Sequence, residues 1–389
     1  MKKFLPLLFC FFLALCPLAG ALDFGVLLEE SGGITGQGSG TDLDYSGSLI
    51  PRLEAFIGGN GRLYASAGLK LEYQDESFSF VPEILRTELS FGFGSMGFRL
   101  GRMHYSDPLG FVANGLFDGA QIYFDTAAGI VSYGVWYTGL LHKNRTPINM
   151  TGLEQDSDYF ASRRVLAALD WEHPALGEFV SASVSLLGQF DQNSSSDLHS
   201  QYLAAKLTVP AGNFVFDLGG VFSFVQDDGE TSVSAAGEIG AAWMLPTPFF
   251  SRLSLWGRFS SGYYDDGSVS AFLPLTTNSQ GDILKAKLSG LSVISLDYLA
   301  RLHRLFSLGL SASCFIRNDL GTYAGYPVNA GGDDGYVLGT EFYTRLFWSP
   351  LSDISLNLGA GAFLPALGNT ASGADPLWRV ELNFIFSVY

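Results

Sequence analysis

The sequence has few charged residues, and few of those are basic. Only 15% of its 389 residues are Asp, Glu, Lys or Arg, whereas soluble domains carry about 25%. The 22 Lys and Arg residues face 38 Asp and Glu residues, which gives a net charge of −16. Nucleic-acid binding requires clustered basic residues that neutralise phosphates. The composition therefore argues against a nucleic-acid partner.

Long apolar runs are also missing. No run after the N-terminus approaches the roughly 18 apolar residues that a membrane-spanning helix needs. Residues 1–21 are typical of a secretory signal, with Lys2 and Lys3, a short apolar stretch, and a small-residue site ending at Ala21. We expect cleavage there, which leaves residues 22–389 as one domain without a helical anchor.

Cysteine is scarce. Cys10 and Cys16 lie in the predicted signal, so Cys314 would remain alone and no intrachain disulfide would form. A lipoprotein anchored at Cys16 is an alternative, but Leu15 and Pro17 fit a lipobox poorly.

Motifs for chemistry are lacking too. The five histidines show no zinc-ligand spacing and no G-x-S-x-G elbow occurs, so we expect no enzyme, metal or cofactor. Gly92, Gly94 and Gly97 match a dinucleotide fingerprint, but a strand-like segment follows where a helix is required. We interpret this stretch as a hairpin turn.

What is abundant is glycine, with 47 residues, and two-residue alternation. Residues 375–389 show it best. One parity is apolar, and it comprises Trp378, Val380, Leu382, Phe384, Phe386 and Val388. The other is mostly polar, and it includes Arg379, Glu381, Asn383 and Ser387. This is a strand with two different faces, and lipid on one face with water on the other is typical of a transmembrane barrel.

The same alternation recurs over residues 62–74, 214–224 and 353–364. Eight short turns alternate with nine longer connections, including residues 32–44 and 74–82. We therefore predict an all-β fold, a transmembrane antiparallel up-and-down β-barrel of about 18 strands (range 16–20). Residues 96–105 break the parity at Arg102 and His104, which predicts a β-bulge there.

Strand parity assigns many charges to the inner face. Charged groups in a dry core without partners cost several kcal/mol each, by order of magnitude, so this number of charges indicates a hydrated lumen. A salt-bridged, plugged interior is the alternative. The pore-lining candidates are Arg62, Lys70, Arg86, Glu88, Arg99, Arg164, Asp217, Glu238, Arg258, Glu341, Arg345, Arg379 and Glu381.

Acidic pairs mark several connections. Asp227-Asp228, Asp265-Asp266 and Asp333-Asp334 each precede a glycine. Clustered carboxylates can bind calcium, but solvated hairpin loops on an acidic outer surface are the simpler interpretation.

One passage carries a family resemblance. Gly101-Arg102 opens a segment that ends at Asp118-Gly119, with a Ser-Asp-Pro loop between them. It is similar to the strand–loop–strand passage of Gram-negative-type outer-membrane porins and alginate-export-type barrels. The resemblance implies inward loops at residues 106–117 and 142–161, with Arg99 and Arg164 lining the pore.

The C-terminus departs from the porin pattern. The resemblance implies an assembly signal at Trp378, Phe384, Phe386 and Tyr389, yet Tyr389 has the opposite parity to the others. That departure leaves the lineage open to a spirochaete-like variant.

The resemblance implies a channel in the outer membrane for passive or weakly selective diffusion of small polar solutes. Its implied partners are membrane lipid, the barrel assembly machinery and the solutes, and a homo-oligomer remains open. Three alternatives stand beside it: an adhesin or ligand-binding barrel with acidic loops, a transporter of hydrophobic ligands such as fatty acids, and a soluble secreted β-sandwich or solenoid. A fatty-acid transporter would require an N-terminal plug, for which residues 22–40 are short and strand-like.

Overall fold

The computed structural model describes residues 19–74, 77–142, 148–149, 160–192, 198–227, 229–264, 269–321 and 335–388. Most of the predicted signal and Tyr389 lie outside these residues. So do Asp228, Asp265-Asp266, Asp333-Asp334 and most of the predicted inward loop at 142–161.

Nearly every described element is a strand. In chain order the strands are β1 (Ala19–Gln37), β2 (Gly40–Ile57), β3 (Gly61–Gln74), β4 (Ser77–Phe93), β5 (Met96–Ser106), β6 (Asn114–Thr126), β7 (Gly129–Tyr137), β8 (Arg164–Leu176), β9 (Val180–Asp191), β10 (His199–Ala211), β11 (Phe214–Asp227), β12 (Glu230–Met244), β13 (Arg252–Ser260), β14 (Ser279–Gln280), β15 (Ala286–Lys287), β16 (Leu291–His303), β17 (Phe306–Arg317), β18 (Val337–Leu351), β19 (Ile354–Leu364) and β20 (Leu377–Val388). A short 3-10 helix spans Pro365–Leu367. No helix within the described ranges is both long and apolar enough to cross a membrane.

Eighteen of these strands form one sheet that closes on itself. Each pairs antiparallel with its chain neighbours, and β1 pairs with both β2 and β20, from Val26 opposite Val388 to Gln37 opposite Leu377. Closure leaves no unpaired sheet edge. The predicted fold class, an up-and-down barrel of 18 strands, is confirmed. The two remaining strands, β14 and β15, form a small separate hairpin.

Two predicted long connections are wrong. β1 and β2 are joined by Gly38 and Ser39 alone, with Gly38 at a φ of 57°. Likewise β3 runs to Gln74 and β4 starts at Ser77. Strand pairing needs backbone hydrogen bonds rather than apolar side chains, so these Gly-, Ser- and Asp-rich ends continue the ladder where composition suggests loops.

The predicted bulge in residues 96–105 is also wrong. The pairing of β5 with β4 and β6 is regular, and the bulge lies in β4. There Ser66 pairs with Arg86 and Ala67 with Ile84, which leaves Leu85 as the extra residue. Arg102 keeps the outer parity of β5 because it is neutralised there by Asp118 of β6, with nitrogen–oxygen distances of 2.8 and 2.9 Å.

The two faces of the wall differ as predicted. On β20, Trp378, Val380, Leu382 and Val388 are exposed while Arg379 of the other parity is buried. The apolar parity of β11, β12 and β13 is likewise exposed, for example at Leu218, Ile239 and Leu255. Two segments between strands, residues 107–113 and 269–290, contact the opposite face, which identifies that face as the inside of the barrel.

Candidate functional site: the barrel lumen and its two inward segments

The first inward segment, residues 107–113, is organised by one carboxylate. Asp107 accepts hydrogen bonds from the backbone N–H groups of Leu109 at 3.0 Å, Val112 at 2.8 Å and Ala113 at 2.9 Å. The backbone N–H of Asp107 donates to the carbonyl oxygen of Ala113 at 3.0 Å. Gly110, at a φ of 66°, provides the left-handed turn. The side chain thus satisfies backbone donors that a buried loop would otherwise leave unpaired.

This segment fills part of the lumen with apolar side chains. Phe111, Val112 and Ala113 are almost fully buried. They belong to a cluster with inward residues of the barrel wall, namely Met103, Tyr105, Phe117, Trp136, Leu166, Tyr202, Val221 and Ala236. Burying a Phe or Val side chain stabilises by about 1.5–3 kcal/mol. The cluster therefore holds the segment inside the barrel, where the resemblance placed residues 106–117.

The second inward segment, residues 269–290, leans on the first. The backbone N–H of Thr276 donates to the carbonyl oxygen of Val112 at 3.0 Å, and its hydroxyl accepts from the N–H of Asn114 at 2.9 Å. The side-chain amide of Asn278 donates to the carbonyl oxygen of Gly110 at 2.9 Å. The two segments therefore form one hydrogen-bonded unit across the lumen.

The far end of the second segment is tied to β18. Glu341 accepts hydrogen bonds from the backbone N–H groups of Asp282, Ile283 and Leu284 at 2.6, 3.1 and 2.9 Å. Arg345 forms an ion pair with Asp282. Sequence reasoning placed residues 264–281 in one of the longer connections and did not predict that the segment of residues 269–290 folds inward. Its apolar residues Phe272, Leu275 and Leu288, which are buried, were the signal that it packs inside.

A small described part of the connection between β7 and β8 joins this unit. Ile148 is buried and bridges to Thr276. The backbone N–H of Asn149 donates to the carbonyl oxygen of Leu275 at 2.8 Å. The rest of the predicted inward loop at 142–161 lies largely outside the described residues.

The pore-lining candidates of β3–β5 are paired with one another or with neighbours. Arg86 and Arg99 both contact Glu88, at 2.6 and 2.7 Å. Arg62 contacts Glu54 at 2.5 Å, and Lys70 forms an ion pair with Glu72.

A second group lies on β10, β12 and β13. Glu238 is contacted by Lys206 at 3.0 Å and by Arg258 at 3.3 Å. Arg258 also donates to the amide oxygen of Gln280 at 3.0 Å and lies 5.8 Å from the centroid of the Phe111 ring. This arginine therefore contacts both inward segments.

A third group closes the barrel seam. Arg379 contacts Asp44 at 2.8 Å and Glu381 at 2.9 Å. Tyr343 donates to Glu381 at 2.8 Å. In all three groups, guanidinium or ammonium charges face carboxylates on the same strand or on a strand one or two places along the barrel. Sequence parity could place these charges on one face but could not match them into pairs.

Each of the two remaining candidates forms a hydrogen bond with a neutral side chain. The almost fully buried Arg164 donates to the amide oxygen of Gln189 at 3.1 Å. Asp217 accepts a hydrogen bond from Thr208 at 2.5 Å.

The two carboxyl groups of the inward segments have altered acidity. Burial raises the pKa of Asp107 above its ordinary value, while backbone N–H groups from Leu109 to Ala113 act in the opposite direction. Burial also raises the pKa of Asp282, against the effect of the neighbouring Arg345.

Two cavities bounded by described residues lie along the inner face of the barrel. One of about 260 Å³ lies between the second segment and the inner face of β13, β16 and β17. The other, of about 480 Å³, lies against the inner face of β18–β20 and β1–β3. Their walls are rich in serine and asparagine.

The residues that carried the family resemblance meet in space. Gly101 has a φ of 114°, and a Cβ there would lie 2.0 Å from the carbonyl oxygen of Thr87. Its neighbour Arg102 pairs with Asp118 on the outer face. The motif therefore fixes the close approach of β4, β5 and β6 at the base of the first inward segment.

Known barrels share this fold over nearly the whole chain. Pseudomonas aeruginosa OpdL has a TM-score of 0.64 at 14% identity, covering 95% of this chain and 99% of its own. The outer membrane protein OprD from Pseudomonas aeruginosa gives 0.60 at 14% identity, with 94% of each chain covered. Acinetobacter baumannii OccAB1 gives 0.61 at 13% identity, with 96% and 98% covered. No family model and no curated protein matches the sequence. At such identities the likeness shows the fold alone, an 18-stranded barrel.

Proposed function

We propose that this protein is an outer-membrane channel through which small polar solutes diffuse passively and with weak selectivity. The observation that carries the proposal is the combination of an apolar, exposed outer face with an inner face of charges, serines and asparagines. A barrel of 18 strands is wider than the roughly eight-stranded barrels that side chains alone can fill. Water and small solutes occupy the part that the inward segments leave open.

Weak selectivity follows from how the inner charges are arranged. Glu88, Glu238 and Asp44 each neutralise at least one inward arginine. Paired charges give a transverse field without a strong excess of either sign. The pore-lining candidates therefore orient dipolar solutes rather than reject one class of ion.

Size exclusion comes from the hydrogen-bonded unit of the two inward segments. Passage through the lumen requires no chemical change in the solute, so the function is transport and not catalysis. Lipid surrounds the outer face, and the assembly machinery of the membrane inserts the barrel through its C-terminal strand.

The two membrane-bound alternatives make different demands. A fatty-acid transporter needs an apolar route and a plug, but residues 22–37 belong to β1 of the barrel wall and the smaller open cavity is lined mainly by polar groups. An adhesin would use its outer acidic loops and would keep its binding activity when the lumen is blocked.

The test is single-channel recording of the refolded full-length protein in a planar bilayer. Discrete conductance steps with similar cation and anion permeability support the proposal. Barrel insertion, seen as heat-modifiable gel mobility, without conductance would refute it and favour the adhesin. A protein that stays soluble without detergent would refute the membrane location itself.

A further inference from the structure

We propose that the open part of the lumen binds neutral polyhydroxylated solutes, such as short saccharides, at an aromatic and hydroxyl-lined site centred on Trp256. The inference rests on the proposed channel function and names its substrate class.

The site is the smaller cavity, between β13, β16, β17 and the second inward segment. The pairing of these strands places the side chains that line the cavity side by side. Trp256 lies opposite Ser295, which lies opposite Ser313. One row away, Asp297 lies opposite Ser311. The two rows therefore place one indole, three hydroxyl groups and one carboxylate side by side on the same wall.

The indole of Trp256 is held flat. A Cβ added at Gly240 of the adjacent β12 would lie 2.2–2.8 Å from three ring atoms of Trp256. The ring therefore rests on the glycine backbone, which fixes it as a platform while it lines the cavity. A rigid aromatic surface beside hydrogen-bonding groups suits the apolar C–H faces and polar edges of a sugar ring.

The charges around this site are neutralised by each other. Arg258 is held by Glu238 and Gln280, and Arg345 forms an ion pair with Asp282. Both arginines are thus occupied, which disfavours an anionic ligand. Their positive charges also act on Asp297, which disfavours a cationic ligand beside that carboxylate.

The groups left for a solute are acceptors and hydroxyls. No described residue donates a hydrogen bond to Asp297, which is half-buried. Ser295 and Ser313 are linked to each other at 2.8 Å. A carboxylate with free lone pairs next to hydroxyl groups can accept from and donate to the hydroxyls of a neutral polyol.

The larger cavity repeats the composition. Phe347 of β18 lies opposite Asn357, then Asn383, Ser31 and Ser46 follow along one row of five strands. Again an aromatic side chain is followed by amides and hydroxyls. The two cavities lie on neighbouring parts of the inner wall. Both offer the same class of solute an aromatic side chain beside hydrogen-bonding groups.

The test uses maltose as the probe on the refolded full-length protein in a planar bilayer with potassium chloride. We expect millimolar maltose to interrupt the ion current in a saturable way. Trp256→Ala should weaken the maltose effect about tenfold, the loss typical of one aromatic contact, while Trp256→Phe should retain part of it. The matched control is Trp243→Ala, since Trp243 stacks on Phe214 on the outer face.

Each outcome decides between the proposals. Conductance that maltose leaves unchanged would overturn the saccharide site and leave the channel standing. Interruption by arginine hydrochloride but not by maltose would replace the neutral ligand with a cationic one and also overturn it. Insertion without conductance would overturn the proposed function. Maltose binding to the detergent-solubilised wild type that is about tenfold weaker in Trp256→Ala would then support the site, and equal binding to the two proteins would overturn it.

Discussion

The side chain of Leu109 lies against Gly219 of β11, where an added Cβ would be 2.2 Å from Leu109 Cδ2. Leu109 belongs to the first inward segment, which leaves the wall between β5 and β6. The segment therefore reaches a strand that is not adjacent to β5 or β6. Because residue 219 is a glycine, there is room for the side chain of Leu109.

Gly219→Val should displace the first inward segment. The added methyl groups would clash with Leu109, and such overpacking costs typically about 1–3 kcal/mol. We expect a larger single-channel conductance and a lower free energy of unfolding. Gly220→Val is the control, because a Cβ there meets only the carbonyl oxygen of Ala236 at 3.9 Å. Equal conductance in the two variants would contradict the contact.

Asp107→Ala should loosen the same segment by another route. It removes the acceptor for the N–H groups of Leu109, Val112 and Ala113, and each buried donor left unsatisfied costs about 1–3 kcal/mol. Hydrogen exchange at Val112 and Ala113 should accelerate, and the open-channel current should become noisier. Asp353→Ala, in the exposed turn before β19, is the control. Unchanged exchange would show that Asp107 does not organise the segment.

Acidification should stabilise the folded protein through Asp282. Burial raises the folded pKa of this carboxyl above its unfolded value. The stability that its protonation contributes is therefore fully present below the ordinary pKa of about 3.9. That stability is lost as the pH rises through the raised folded pKa. Between those two pH values, the wild type should gain stability relative to Asp282→Asn as the pH falls. Chemical unfolding of both proteins in detergent measures the difference. A relative loss of stability on acidification would contradict the direction of the shift.

Glu30 is a carboxylate on the apolar outer face. It lies between Gly47 and Phe384 on the adjacent strands and accepts a hydrogen bond from the hydroxyl of Tyr45. In lipid a carboxyl group without a donor is costly, so Tyr45→Phe should destabilise the refolded barrel by about 1–3 kcal/mol.

The matching control for Glu30 is a double-variant cycle. Glu30→Leu should abolish the cost of Tyr45→Phe, and Tyr73→Phe on the neighbouring strand should have little effect. Additive losses of stability in the cycle would exclude the hydrogen bond as the cause.

Much of the wall followed from the sequence because strand parity is local. Predicting the opposed faces of residues 378–388 needed only the alternation along one strand. Predicting 18 strands needed only the positions of the turns. The bulge predicted in β5 was wrong because Arg102 stays on the outer face, where Asp118 of the next strand neutralises it. The bulge at Leu85 in β4 was not predicted, since only the pairing of Ser66 with Arg86 and of Ala67 with Ile84 shows it.

The lumen was less predictable because its contacts are long-range. Glu341 binds the backbone of residues 282–284, and Thr276 binds that of Val112. Neither pair shares a strand or a local motif. Composition alone assigned residues 264–281 to a long outer connection, whereas the buried apolar side chains of residues 269–290 complete an interior core.

The most direct test of the central claim is the ion selectivity of single channels formed by the refolded protein. Paired inward charges predict discrete steps and a cation-to-anion permeability ratio near unity. They also predict that Arg258→Ala, which leaves Glu238 with Lys206 alone, shifts the ratio toward cations. A barrel that inserts without conducting, or one that strongly excludes one ion and is unmoved by Arg258→Ala, would contradict the account.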